Sequence, residues 1–219
     1  MFVGHFALGF AAKRVAPRVS LVVLFAAAQL ADLLWPVLLA FGLEQVRIDP
    51  GNTAFTPLDF VSYPYSHSLL LLVVWGITLG WLYGVVTGDG RSFLVIAALV
   101  VSHWVLDFVT HRPDMPLYPG GPKLGLGLWN SVPGTMAVEL TMYAVGLWVY
   151  FRASRARDKT GRWAFLSLAV FLTIAYVANL LGGAPPSIVA IYSGAIAGSI
   201  ILMLWALWVD RHREPAGFA

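Results

Sequence analysis

The sequence predicts an all-α, polytopic membrane bundle of about six transmembrane helices plus a short N-terminal half-helix, and three observations predict it. Of the 219 residues, 59% are hydrophobic and only 11% charged, with a mean hydropathy of +0.77. A soluble domain carries about 25% charged residues, so a compact core in water is excluded. Apolar stretches recur at 19–42, 65–87, 92–111, 135–152, 163–182 and 187–209, each near the ~20 residues that a helix needs to cross a bilayer. The basic residues then divide unevenly between the two sides that six crossings create. One side receives Lys13, Arg14, Arg18, Arg91, Arg152, Arg155, Arg157, Lys159, Arg162, Arg211 and Arg213; the other receives only Arg47, Arg112 and Lys123. The positive-inside rule therefore places both termini in the cytoplasm and the loops 43–64 and 112–134 outside. No linker or low-complexity tract divides the chain, so 1–219 reads as a single integral membrane domain.

Taken in order, MFVGHFALGFAAKR has neither a basic leading segment nor a small-residue cleavage site, and its positive charges follow the apolar run. It is expected to stay on the protein rather than act as a signal peptide. Residues 2–12 are too short to cross alone and read as a half-helix entering from the cytoplasmic face. The span 19–42 follows. The first outer loop is rich in Pro, Gly and aromatic residues, as is the second, RPDMPLYPGGPKLGLGLWNS. Such sequences form ordered turns, and loops this long without regular structure usually carry a role. They read either as surface connections or as a lid. Trp205 and Trp208 sit near the cytoplasmic end of the last span and Trp129 in an outer loop, where interfacial aromatic belts form. The helices at 163–209 carry no ionisable group and read as structural, with GAIAG (194–198) suited to close helix packing. The part bearing chemistry is 1–150.

That chemistry lies in ionisable residues inside spans, which are costly there and face a cavity or the bundle interior. They are His5, Asp32, His67, His103, Asp107, His111 and Glu139. All but His5 fall in the outer half of their spans, on four different helices. His5 lies eight residues from Lys13, about 12 Å into the membrane at 1.5 Å per residue, at the floor of a shared cavity where contact with Asp32 is within reach. His103, Asp107 and His111 are spaced by four and share one helix face. His103 and Asp107 can thus bind one ion together. His111, at the helix end, suits three roles: a third ligand, a substrate contact, or a cap at the helix C-terminus.

No Lys or Arg lies within the spans, so a cation or bound protons must neutralise these carboxylates. There are no cysteines, which excludes thiolate ligands. Two or three His with one or two carboxylates suit a divalent metal, zinc above all. Gln29, Ser66, Ser68 and Thr110 are candidates for supporting hydrogen bonds. Asp49, Asp59 and Asp114 read as solvated or turn-forming loop residues. Arg112 and Lys123 are placed either to hold an anionic headgroup or phosphate of a substrate or to act as interfacial anchors.

HFALG near the N-terminus, an Asp in the next helix, YSHS at the start of the following span and HWVLDFVTH in the one after resemble a family of bacterial inner-membrane proteins described as membrane-bound metal-dependent hydrolases. The resemblance covers about the first 115 residues. It implies a metal site that includes His5, Asp32, His67, His103 and Asp107. The family usually carries a second Asp two residues after the first, where this chain has Leu34, and often His-Arg before its THS-like element, where this chain has SYPYS. Those departures imply fewer ligands, one metal instead of two, or a distinct subgroup.

The expectation is a metal-dependent hydrolase using metal-activated water on a membrane lipid or lipid-linked substrate at the outer leaflet, with no nucleic-acid partner. Glu139 or Asp32 would serve as general base. A metal-ion or proton-coupled permease using the same cluster is the alternative. Haem ligation by His67 and His103 is the third reading, disfavoured by the clustered carboxylates.

Overall fold

The computed structural model describes residues 1–217. Among the described residues nine helices carry the fold: α1 (Val3–Ala12), α2 (Leu21–Ala28), α3 (Leu30–Ala40), α4 (Pro64–His67), α5 (Leu69–Thr87), α6 (Phe93–Thr110), α7 (Val132–Ala153), α8 (Lys159–Leu181) and α9 (Ile188–His212). Three two-stranded ribbons join their ends: β1 (Gln45–Ile48) with β2 (Leu58–Ser62), β3 (Met115–Pro116) with β4 (Lys123–Leu124), and β5 (Ser154–Ala156) with β6 (Arg213–Pro215). Among the described residues five helices are long and apolar enough to cross a membrane, or six when the bent pair α2–α3 is counted as one broken span. The chain is a multi-pass membrane protein.

The basic residues separate by end as the charge partition predicts. At one end Lys13 lies 3.8 Å from Asp210, Arg155 and Arg157 meet Glu214, and Arg18 and Arg91 share a pocket. At the other end Arg47, Arg112 and Lys123 line a single cavity.

Two expectations are corrected. The span at 19–42 is not one helix: its axis turns by 61° between α2 and α3. The bend falls at Gln29, whose φ and ψ of −105° and 10° leave the helical range, and not at Pro36, which lies inside α3. Non-helical backbone at that depth is tolerated only when protein covers it, and Gln29 is buried. Trp129 belongs to no interfacial belt; it is buried, stacks on Phe55 and packs at a tilt against His111.

The half-helix α1 is present as predicted, and its position explains its packing. A helix that ends in the membrane interior leaves its first N–H groups unpaired unless another element supplies acceptors. Glu139 of α7 does so: its Oε2 accepts from the amides of Phe2 and Gly4 at 2.8 and 3.3 Å. α1 and α7 approach closely because Gly146 has no side chain, and a Cβ there would lie 2.5 Å from the Ala7 carbonyl oxygen. Toward the cytoplasmic end of α1, Phe10 packs with Phe25, Tyr150 and Phe165 at centroid distances of 4.8, 5.2 and 5.9 Å. On the same side Asp210 of α9 accepts from the amides of Leu21 and Val22 and caps α2.

Gly146→Leu is expected to push α1 off α7 and destabilise the protein by about 1–3 kcal/mol, as overpacking does, read as a lower melting temperature in detergent. Gly194→Ala on α9, where a Cβ meets nothing within 4 Å, is expected to leave that temperature unchanged or slightly raised.

Candidate metal centre

α1, α3, α4 and α6 each send side chains to one buried point. His103 and Asp107 are one turn apart on α6, with His103 Nε2 3.2 Å from Asp107 Oδ2. His67 closes the single turn of α4, which Pro64 starts and Ser68 ends; its Nε2 lies 3.5 Å from Asp32 Oδ1 and 3.8 Å from Asp107 Oδ2. Asp32 Oδ1 is also 3.8 Å from His103 Nε2. His5 Nε2 meets the other oxygen, Asp107 Oδ1, at 3.0 Å. Its ring lies flat on that of His103, with centroids 3.7 Å apart and planes 2° apart. The structure thus brings all five sequence-predicted ligands together, as two overlapping groups that share His103: His5, His103 and Asp107, and Asp32, His67 and His103. His5 contacts Asp107 rather than Asp32, because rise along a helix fixes depth and not direction.

These residues fit a divalent cation. Donors around a tetrahedral ion with bonds near 2.0–2.1 Å lie about 3.3 Å apart, within the range of spacings seen here. The hydrogen bonds of the other ring nitrogens set the tautomers as a metal requires. His103 Nδ1 lies 2.9 Å from the Ala28 carbonyl oxygen, which can only accept. His103 therefore carries a proton on Nδ1, and in the neutral imidazole its Nε2, buried with no hydrogen-bond partner, is the nitrogen left to bind an ion. The Ala28 carbonyl is available at the bend before Gln29.

His67 is set by a relay. Its Nδ1 lies 2.7 Å from Ser66 Oγ, and that hydroxyl donates to Glu44 Oε2 at 2.7 Å. The serine proton being committed to Glu44, Ser66 accepts from His67 Nδ1–H, and His67 Nε2 is left bare toward the centre. Glu44 is 1% exposed and its Oε1 also accepts the amides of Tyr65 and Ser66. Sequence reasoning missed Glu44, which follows the apolar run of α3 as an ordinary loop residue. Of the other supporting candidates, Ser68 caps α5 through Leu71 N, and Thr110 bonds backbone carbonyls of its own helix. Gln29 marks the bend, and its Oε1 is buried without a hydrogen-bond partner.

His111 is held the same way. Its Nδ1 is 2.9 Å from Asp114 Oδ1, and its Nε2 faces Asp107 Oδ2 at 3.8 Å. Asp114 is not a solvated turn residue as its loop position suggested. It is buried, accepts from Tyr63 Oη at 2.7 Å and from Arg112 Nε at 3.3 Å. Burial and the adjacent Asp114 carboxylate raise the Tyr63 phenol well above its ordinary pKa, so it remains a donor. The outer loops close over this edge: Phe60 and Trp129 pack on the His111 ring at 4.9 and 4.1 Å. Gly125 allows the second loop to cross there, since a Cβ would lie 2.1 Å from the Arg112 carbonyl oxygen.

Among the other predicted residues, Glu139 caps α1, with its Oε1 buried and without a hydrogen-bond partner. Arg112 pairs with Asp59 and Asp114, and Lys123 Nζ donates to the Val61 carbonyl at 2.8 Å. The Met1 amino group contacts Asp107. The Asp32 side chain is 41% exposed, against 4% or less for those of His5, His67, His103 and Asp107. The centre therefore opens on the Asp32 side. No protein-family model, curated protein or solved structure matches the chain.

Ser66→Ala is expected to weaken metal retention about 10–100-fold, the usual cost of losing a partner that orients a ligand, as measured by competition with a chelator. Ser68→Ala is the control: it removes only a helix cap, worth about 1 kcal/mol of stability, and is expected to leave metal affinity as it was.

Proposed function

We propose that this protein is a bacterial inner-membrane, metal-dependent hydrolase that acts on a lipid or lipid-linked substrate at the outer leaflet. The observation that carries the reading is the tautomer pattern: His67 and His103 each commit Nδ1 to a fixed acceptor and aim Nε2 at Asp107. Bare imidazole nitrogens beside carboxylates make a borderline-to-hard donor set, suited to zinc. His67, His103, Asp107 and Asp32 or His5 would hold the ion. Once bound, such an ion would supply Lewis-acid activation of water near neutral pH and polarisation of a carbonyl or phosphoryl oxygen.

The remaining steps belong to this chain's side chains. Asp32 turns Oδ1 to the histidines, and the second oxygen of the same carboxylate serves as base for the attacking water, at the side where the centre is open. Asp32 then returns the proton it took from the water to the leaving group, while His111, oriented by Asp114, faces Asp107. Glu139 acts by anchoring α1, which carries His5. We take the exposed Asp32 side as the point where a lipid would enter, and the resemblance of HFALG, YSHS and HWVLDFVTH to membrane-bound metal-dependent hydrolases agrees with this reading.

A permease needs a polar path to both faces. Below His5 the chain instead places Phe6, Phe10, Phe25, Tyr150 and Phe165 in mutual ring contact. Haem ligation is disfavoured by geometry: His5 covers one face of His103, and Asp32 and Asp107 fill the space a porphyrin would take.

Elemental analysis of the purified protein is expected to give about one zinc per chain, as a site with this donor set should hold, and His103→Ala to lose it. Turnover of model lipid esters, amides or phosphoesters should then stop on chelation and return with metal. A wild-type protein that purifies and rebinds no divalent metal overturns the reading. An Asp107-dependent ion flux in liposomes without lipid turnover would replace it with the permease.

A further inference from the structure

Of the 14 Lys and Arg residues, three lie at the outer end, and all three line one open cavity of about 400 Å³. They come from separate places: Arg47 from β1, Arg112 from the end of α6, and Lys123 from β4. Two ribbons and a helix end must meet to assemble them. Three cations face two carboxylates there, Asp59 and Asp114, and both carboxylates are already engaged. Asp59 sits across the ribbon from Arg47, 3.5 Å from its Nε, and also contacts Arg112. Asp114 holds His111 and Tyr63. The cations keep spare donors: Lys123 uses one of three, on the Val61 carbonyl, and Arg47, with a side chain 71% exposed, meets Asp59 through a single nitrogen. A pocket of this size with net positive charge, forked guanidinium donors and an ammonium matches a phosphate group.

Its wall is also connected to the buried centre. Arg112 bonds Asp114, Asp114 bonds His111, and His111 Nε2 faces Asp107. A phosphate at Arg112 therefore lies one carboxylate and one imidazole from the candidate ligands. Solvated surface cations would have no reason to share a wall with the residue that orients His111.

We propose that the Arg47–Arg112–Lys123 pocket binds the phosphate of the substrate, so that the substrate class is a phosphate-bearing anion at the outer face. This rests on the hydrolase reading for its catalytic meaning, and the binding itself is separable from it. Arg47 and Lys123 supply the free donors, while Arg112 couples the bound phosphate to Asp114 and His111.

The test is binding to the full-length protein in a non-ionic detergent, with zinc content measured on every sample. The probes are dioctanoyl phosphatidic acid, dioctanoyl phosphatidylcholine and inorganic phosphate. Wild type should bind the phosphatidic acid in preference to the zwitterionic phosphatidylcholine, and more weakly as salt rises. The double variant Arg47→Gln/Lys123→Gln, which spares the buried Asp114 contacts, should bind it at least about tenfold more weakly, given the strength of charge-assisted hydrogen bonds, with zinc content and melting temperature unchanged. Inorganic phosphate competing as well as the lipid would assign the pocket to free phosphate; competition by lipid alone would assign it to a headgroup. Equal binding by wild type and the double variant overturns the proposal. Loss of zinc from wild type, with phosphate binding intact, would instead overturn the hydrolase reading and leave the pocket standing.

Discussion

The Asp107 carboxylate is the constraint around which this bundle is arranged. A buried carboxylate at membrane depth, without a Lys or Arg beside it, is tolerated only when cationic or hydrogen-bonding groups surround it. Here the Met1 amino group and His5 meet Oδ1, and His67, His103 and His111 turn nitrogens toward Oδ2, where a bound cation would be shared. Much of the fold can be read as the means of bringing them there. α1 stops partway into the membrane so that His5 reaches Oδ1, Glu139 closes its open end, and Gly146 lets it approach α7. The one-turn α4 aims His67 at the centre before α5 carries the chain to the opposite end of the bundle.

The outer loops are part of the centre and not a covering for it. Glu44 lies after α3 and Asp114 after α6, yet each fixes the proton of an imidazole that faces Asp107. Phe60 and Trp129 wall off the His111 edge. Low dielectric around such a network strengthens each bond and raises the cost of any missing one, so the loop geometry and the ligand geometry stand or fall together. The folded ribbons β1–β2 and β3–β4 supply the rigidity that a long irregular loop would lack.

The sequence made legible what depends on composition and periodicity. The charge partition matches the two ends of the bundle, HWVLD forms a helical pair of donors, and residues 2–12 form a half-helix. It did not show what depends on direction or on contacts between distant segments. The rise per residue put His5 at the right depth but gave no azimuth, and so left open its pairing with Asp107 over Asp32. Glu44 sits in FGLEQVR with no period to mark it, and only the meeting of two loops with α4 reveals its bond to Ser66. The bend at Gln29 lacks the glycine or proline that usually announces one, while Pro36 fits within α3. The cap that Glu139 places on α1 was hidden because the cost of beginning a helix inside the membrane cannot be assigned to a particular acceptor from spacing alone.

The bend at Gln29 sets the two inward-facing histidines on different footings. His67 depends on the identities of Ser66 and Glu44, and a change at either position alters its proton. His103 is held by the carbonyl of residue 28, a group that every amino acid possesses. Heritable variation can therefore adjust one ligand residue by residue, whereas the other changes only if the path of the chain changes. The centre combines a fixed half, written into the backbone, with an adjustable half reached through the outer loops.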